Sequence, residues 1–253
     1  MKKNNYWRFI LRGSSLPENL SPGDRLILDG REEEIFHQLA RVFRAKVGDS
    51  LVLINKNTSS RGNPEAHYVI TDISKKNINL ELVKTRVLQE PLKFELTLAL
   101  ALPNKPAKLD MILQHCTELG VGHFKLIASD NSNYPHQLRP DRLEKIILEA
   151  VEQSERALIP SILFYQNLED YIGLLDRPCF VALERMSGGE NVLKSNIRTA
   201  CEVLIGPEGG WSNREIALFH DHKLQPFSLG RSILRNETAA IVSCGLFALM
   251  LQN

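Results

Sequence analysis

Val203-Leu204-Ile205-Gly206-Pro207-Glu208-Gly209-Gly210 is the stretch on which the fold of this chain turns. An apolar run enters a turn of three glycines and a proline, and Ser212-Asn213-Arg214-Glu215 follows as a capping box that opens a helix. A strand that is apolar without alternation is buried on both faces, as strands are inside a parallel sheet. Glycines in the turn permit positive φ and let a ligand approach the backbone closely. Exposed N–H groups and a helix N-terminus then offer hydrogen bonds to an anionic or carbonyl group. The same residues also suit a tight strand-to-helix turn with no ligand. The stretch lacks the Gly-Lys-Ser/Thr of a P-loop and the glycine spacing of a dinucleotide fingerprint.

Outward from this turn the chain alternates strand and helix from Phe94 onward. Strands are expected at Glu95–Ala101, His123–Ala128, Cys179–Glu184, Glu202–Ile205 and Pro226–Leu229. Leu109, Ile112, Leu113 and Cys116 form one helical stripe that stops at Gly120. Leu143, Ile146, Ile147, Ala150 and Val151 form a second, with Pro140 in its first turn. The last helix, Glu237 to Leu251, is apolar nearly all round and should be buried on several sides. Such alternation implies a mostly parallel sheet covered on both faces. A second glycine-bearing loop, Ser228-Leu229-Gly230-Arg231-Ser232-Ile233-Leu234-Arg235, ends the last strand and leads into that helix. Two such loops at the carboxyl ends of parallel strands make a ligand crevice. Glu237 and Thr238 in the first helical turn also serve simply to cap it.

The first part of the chain is β-rich. Tyr6–Leu11, Asp24–Leu28, Leu51–Ile54, His67–Ile73 and Ile78–Val83 are short β-branched and aromatic runs separated by turn residues. One helix, Glu32–Arg44, places Ile35, Leu39, Val42 and Phe43 on a single face. Five short strands and a helix predict a small barrel, joined to the rest through Gln89-Glu90-Pro91. Residues through Lys84 carry 14 Lys and Arg against 10 Asp and Glu, whereas the remainder carries 17 against 20. The basic part suits a polyanion.

Composition removes several classes. With 253 residues, 43% hydrophobic and 24% charged, the chain is neither disordered nor fibrous. The run Ala239 to Leu251 falls short of the ~20 residues of a bilayer helix, and Met1–Arg8 has no apolar stretch of a signal peptide behind it. A cytoplasmic protein without membrane contact is expected. Cys116, Cys179, Cys201 and Cys244 lack the spacing of a zinc knuckle or redox dithiol, which predicts buried free thiols and no metal. The histidines show no HxxxH or HExxH, and GxSxG is absent. Glu149, Glu152 and Arg156 recur at helical spacing, the pattern of a solvated, salt-bridged face.

Five motifs in order carry a resemblance. Ile205-Gly-Pro-Glu-Gly-Gly210, Ser228-Leu-Gly230, Ile233-Leu-Arg-Asn-Glu-Thr-Ala239, Glu118-Leu-Gly-Val121 and Glu149-Ala-Val-Glu-Gln-Ser-Glu-Arg156 are similar to those of the ribosomal RNA small subunit methyltransferase E family, a SPOUT class of S-adenosylmethionine-dependent enzymes. His37–Arg44 and Val47-Gly-Asp49 resemble that family's N-terminal motif. The resemblance implies an α/β SPOUT domain with a C-terminal trefoil knot (residues 86–253), preceded by a PUA-like β-barrel (residues 1–85) that binds RNA. It implies a homodimer, S-adenosyl-L-methionine as cofactor and methylation of uridine N3 in 16S ribosomal RNA of the small subunit. The cofactor would be held by Leu183, Glu184, Ile205, Gly206, Pro207, Glu208, Gly209, Gly210, Ser228, Leu229, Gly230, Ile233 and Leu234. RNA contacts would come from Arg8, Arg12, Arg41, Arg44, Arg156 and Arg231. The chain departs from the family pattern at His115 and Ser232, where the family has a basic residue, and at Ser129-Asp130-Asn131-Ser132, where it has Ser-Glu-Arg-Ser.

Methylation of uridine N3 requires alignment of the nitrogen with the donor and removal of its proton. Arg235 is the candidate cation for the uracil anion, and Glu237 or Glu118 the candidate base. Two other classes fit the residues: an RNA-binding protein that has lost catalysis, and an α/β enzyme for a small nucleotide-like substrate.

Overall fold

The computed structural model describes residues 6–12, 15–17, 19–30, 34–56, 64–87, 95–132, 138–156, 158–183 and 200–252. It divides into two compact units, residues 1–90 with 155–158, and residues 91–154 with 159–253. The cut expected between residues 85 and 86 falls inside a strand, and Gln89-Glu90-Pro91 lies outside the described residues.

In the first unit β1 (Tyr6–Leu11), β2 (Arg25–Asp29), β3 (Ser50–Asn55), β4 (Pro64–Ile73) and β5 (Asn77–Val87) form one sheet in the order β1-β3-β4-β5-β2. The β1–β3 pair is parallel and the others antiparallel. Two register shifts in the β4–β5 pair, at His67/Tyr68 and Ile70/Asp72, add local twist to the longest strands. Period-two alternation sends Phe9 and Leu11 into a core with Leu28, Leu39, Leu51, Leu53, Tyr68 and Leu80, and Trp7 packs at its margin.

The helix expected over Glu32–Arg44 is corrected. Of the described residues in that span only Glu34–His37 (α1) are α-helical, and Gln38–Val42 continue as a π-helical turn. The amides of Phe43 and Ala45 reach back to the carbonyls of Gln38 and Leu39, both at 2.9 Å. Each turn therefore carries more residues than an α-turn and rotates the chain beyond it. Ile35, Phe36 and Leu39 are buried as the 3.6 period requires, but Val42 and Phe43 turn outward to 69% and 42% exposure.

The second unit holds β6 (Glu95–Ala101), α2 (Pro106–Glu118), β7 (His123–Ile127), α3 (Pro140–Gln153), β8 (Ser161–Tyr165), α4 (Leu168–Ile172), β9 (Cys179–Ala182), β10 (Ala200–Ile205), α5 (Asn213–Asp221), β11 (Gln225–Phe227) and α6 (Asn236–Gln252). Its six strands lie in the order β11-β9-β10-β6-β7-β8, every pair parallel. The five expected strands are present, and all four cysteines are buried free thiols. β8 and α4 have no counterpart in the periodicity reading. β8 is an edge strand with Leu163 and Phe164 exposed, so it lacks alternation. α4 is a five-residue turn whose one local signal is Asn167, which caps it by accepting from the Asp170 amide at 2.7 Å. Nor does Arg156 extend the Glu149–Glu152 face: α3 ends at Gln153, and Glu155 has φ of 55°. The face of α6 carrying Ala240, Cys244, Phe247 and Leu251 is buried, while Val242 and Leu249 are exposed.

One buried charge lies in the sheet. Glu202 on β10 is fully buried and accepts from Lys125 Nζ at 2.6 Å and from the Tyr171 hydroxyl at 2.8 Å. Burial raises the Tyr171 hydroxyl well above its ordinary value, so it stays a donor. A carboxylate stripped of its cation in such a place costs several kcal/mol. Lys125→Met is therefore expected to lower unfolding stability by about 3–5 kcal/mol in urea titration. A loss under about 1 kcal/mol would mean that the Tyr171 hydroxyl and Arg177, whose Nε lies 3.9 Å from Glu202 Oε1, suffice for the carboxylate.

Candidate active site

The strand order reverses between β6 and β10: from β6 the chain steps to β7 and β8 on one side, while β9, β10 and β11 lie on the other. In open parallel sheets the carboxyl ends of such a pair diverge and leave a crevice. Here the loop after β6 and the loop after β10 meet in that place. Glu208 accepts from Lys108 Nζ and, at 3.1 Å, from the Asn104 amide. Burial acts to raise the Glu208 carboxyl, but these hydrogen bonds outweigh it and hold the group below its ordinary value. Trp211 closes the back of the turn. Its indole donates to Ala182 O at 3.2 Å, and a Cβ on Gly206 would stand 3.0 Å from its ring.

The loop after β11 joins the same place. The Ser228 hydroxyl donates to Gly230 O at 3.1 Å and accepts from the Gly230 amide at 3.3 Å, closing a turn in which Gly230 has φ of 115°. Asn236, buried at the start of α6, donates to Gly206 O at 2.6 Å. Glu237 Oε2 lies 3.8 Å from Lys108 Nζ. Lys108 thus faces carboxylates from the loop after β10 and from the first turn of α6. The Oδ1 atoms of Asn104 and Asn236 are buried here with no partner in the described protein, and such acceptors call for a donor. A Cβ at Gly210 or Gly230 would meet open space, though both have positive φ.

A third loop, after β7, braces the turn. Asp130 accepts from Arg214 Nη2 at 2.6 Å and from the Ser212 hydroxyl at 2.6 Å. Those bonds, the Arg214 one foremost, hold its carboxyl below the ordinary value. Asn131 donates to Gly210 O at 3.0 Å. Glu215, fully buried, completes the capping box with Ser212 and accepts from the Asp130 amide at 3.0 Å.

The structure brings Ile205–Gly210, Ser228–Gly230 and Glu237 to one end of one sheet. Ile233 and Arg235 are exposed beside them, and Leu234 is half-buried. The backbone amide of Leu183 donates to Phe227 O at 3.0 Å, at the mouth of β9; Glu184 lies outside the described residues. Arg235 has no side-chain partner among the described residues, so it is not the ion-pair partner of Glu237. Glu118 pairs with His115 at 3.2 Å at the far end of α2, about 15 Å along the helix from Lys108. Gly209 is glycine for a packing reason: a Cβ there would stand 3.0 Å from Asn131 Cβ.

Among the arginines expected on the surface, Arg8 is corrected. Its side chain is 5% exposed, pairs with Glu65 at 2.5 Å and donates to Arg156 O at 2.9 Å. Burial lowers its pKa despite Glu65. Arg8 alternates with Trp7 and Phe9, so it points through β1 to the other buried side. Arg12 pairs with Glu34 at 3.1 Å. Arg41, Arg44 and Arg231 are exposed, and Arg156 is half-buried. Sequence reading missed Asn104, Lys108, Trp211 and Asn236. Lys108 had a signal: it stands in the first turn of a helix opened by Pro106, where a lysine opposes the dipole and needs a carboxylate.

The RNA methyltransferase domain model matches residues 90–248. The ribosomal RNA small subunit methyltransferase E of Synechocystis sp. is 31% identical over 224 residues, 86% of this chain and 71% of that one. The chain belongs to the ribosomal RNA small subunit methyltransferase E family. The enzyme of that name from Rickettsia conorii is 32% identical, covering 82% of this chain and 83% of its own. A crystal structure of the Neisseria gonorrhoeae methyltransferase E bound to S-adenosyl methionine superposes with a TM-score of 0.78 at 23% identity, covering 97% and 98% of the two chains. In this chain the Asp130 carboxylate binds Arg214. The short amide of Asn131 fits under the glycine turn.

Glu208 fastens that turn as an anion. Its folded carboxyl lies below the ordinary 4.5, so the anchor is fully present above that pH and fades as pH falls through the folded value. Glu208→Gln is expected to speed amide hydrogen exchange in residues 206–210 at neutral pH while leaving β10 protected. Unchanged exchange in the turn would show that Trp211, Asn236 and Asn131 hold it without Glu208.

Proposed function

We propose that the protein transfers a methyl group from S-adenosyl-L-methionine to N3 of a uridine in 16S ribosomal RNA of the small ribosomal subunit. The observation that carries this reading is the convergence of the two glycine loops and the first turn of α6 at the β6/β10 crevice. The cofactor, when bound, supplies an electrophilic methyl on a sulfonium. Ile205–Gly210, Ser228–Gly230, Ile233, Leu234 and Leu183 hold it, chiefly through backbone groups and small apolar side chains. The open space beside Gly210 and Gly230 and the two unpartnered amide oxygens of Asn104 and Asn236 suit a ligand rich in N–H donors.

Arg235 stabilises the uracil anion, since a guanidinium donates hydrogen bonds and cannot act as a base. Glu237 takes the N3 proton. Its place near Lys108, in the crevice, favours it over Glu118, which sits at the far end of α2. The target base has to leave its stack to reach such a crevice.

The fold reading that goes with this function is a knotted SPOUT domain behind a PUA-like barrel. It is supported by the sheet order, in which β10 enters between the earlier strands β9 and β6 while β11 passes to the outside of β9. The homodimer reading is supported by the exposed apolar Met111 on α2 and Val242 and Leu249 on α6, helices that pack together. Val242→Glu with Leu249→Glu should then halve the mass seen by light scattering at micromolar protein. An unchanged mass would remove this face from the interface.

Tritiated methyl transfer onto hypomethylated small subunits, with mapping of the product base, tests the function. No transfer, or methylation at another atom, would overturn it. Arg235→Ala should keep cofactor affinity in calorimetry and lose about 10²–10³ in single-turnover rate, with Arg235→Lys in between because the planar fork is gone. Affinity falling as far as the rate would make Arg235 a scaffold residue instead.

A further inference from the structure

The outward rotation of Val42 and Phe43 by the π-turn leaves an aromatic ring where the helical period would bury one. Phe43 is 42% exposed. Its ring centroid lies 5.4 Å from that of Trp7 at 32° between planes, and 6.2 Å from that of Phe9, edge to face. The ring is thus backed on its inner side by two aromatic residues of β1 and open on its outer side. Such backing holds a ring in one orientation without covering it.

Cations stand close to the ring in the chain. Arg41, Arg44 and Lys46 are exposed, and their side chains have no partner among the described residues. Among the described residues, Asp49 accepts from the Lys46 amide at 2.7 Å, and Glu34 pairs with Arg12. Arg44 has φ of 51° as the residue that follows Phe43, the C-cap of the π-turn, and Glu155 past α3 and Lys223 past α5 take the same left-handed conformation at helix ends.

We infer that Phe43, backed by Trp7 and flanked by Arg41, Arg44 and Lys46, is a stacking platform for one unpaired base of single-stranded RNA. The base lies on the open face of Phe43, and the cations meet the phosphates on either side. Every base has a π-face, so the platform grips without reading sequence. This inference rests on the reading that the protein acts on RNA and names where the first unit holds it.

The test uses the full-length protein and a fluorescein-labelled oligoadenylate of about ten nucleotides, beside an abasic chain of the same length. Phe43→Leu keeps an apolar side chain and removes the π-face. It is expected to weaken oligoadenylate binding by between about fivefold and about a hundredfold in anisotropy titrations. Its melting temperature and its affinity for the abasic chain should match the unaltered protein. Phe43→Trp should bind oligoadenylate at least as tightly as the unaltered protein. Arg44→Gln should weaken both probes and flatten the salt dependence by about one phosphate contact. Equal oligoadenylate affinity in Phe43→Leu, or equal losses on both probes, would overturn the platform. So would a dimeric mass that Phe43→Leu makes monomeric, since the ring would then face a second copy. Methyl transfer is scored separately: its failure on small subunits removes the proposed activity, whereas the contrast between the two probes decides the platform alone.

Discussion

The parallel pairing of β10 with β6, from Ala200↔Glu95 to Ile205↔Leu100, is the constraint on which the second unit depends. Both strands are buried on both faces, so every backbone N–H and C=O must find its partner in the ladder. Once that register is set, both chains leave the sheet at the same edge. The loops after them, at residues 102–105 and 206–212, are then side by side whatever their own sequences prefer. The bonds of Glu208 to Lys108 and Asn104 fasten together what the ladder has already brought close. Asn236 and Trp211 extend the same logic to α6 and β9.

The layered part of this design was legible in the sequence because burial leaves a periodic trace. The stripe Leu109, Ile112, Leu113 and Cys116 is buried in α2, and Leu143, Ile147, Ala150 and Val151 in α3. The capping box at Ser212 and Glu215 has both of its reciprocal bonds. The glycine loops were legible as turns for a related reason, since Gly210 and Gly230 hold φ values that side chains avoid. Gly209 carries the same letter for a different cause, the nearness of Asn131 from a loop some eighty residues earlier. No local pattern encodes such a contact. Lys108 and Asn236 were missed for the same reason: their partners become neighbours only after the strands have paired.

In the first unit, periodicity predicted too much. Val42 and Phe43 complete an apolar face at α-helical spacing, but spacing cannot announce that the helix changes its turn after His37. Two apolar side chains reach the surface as a result. Arg8 shows the opposite failure. An arginine in a β-strand is read as surface, yet alternation with Trp7 and Phe9 carries it to a buried place where Glu65 waits. Buried ion pairs contribute little net stability while strongly penalising the loss of either partner. Residue type alone therefore misjudges both kinds of position.

Net charge is consequently a poor guide to where a polyanion can settle. The excess of positive charge before Lys84 includes Arg8, neutralised by Glu65, and Arg12, paired with Glu34. At the crevice of the second unit the lysine and arginine charges are also largely matched: Lys108 by Glu208 and Glu237, Arg214 by Asp130 and Glu169. Exposed cations without a described side-chain partner include Arg41, Arg44 and Lys46 beside the π-turn and Arg231 and Arg235 before α6. Phosphate contacts draw their strength from charges that are free to release counterions, not from those already spent on a neighbouring carboxylate. Each unit thus offers available cations next to a backbone feature that departs from regular structure. In the first unit that feature presents a ring, and in the second it presents the turn between a buried sheet and its last helix.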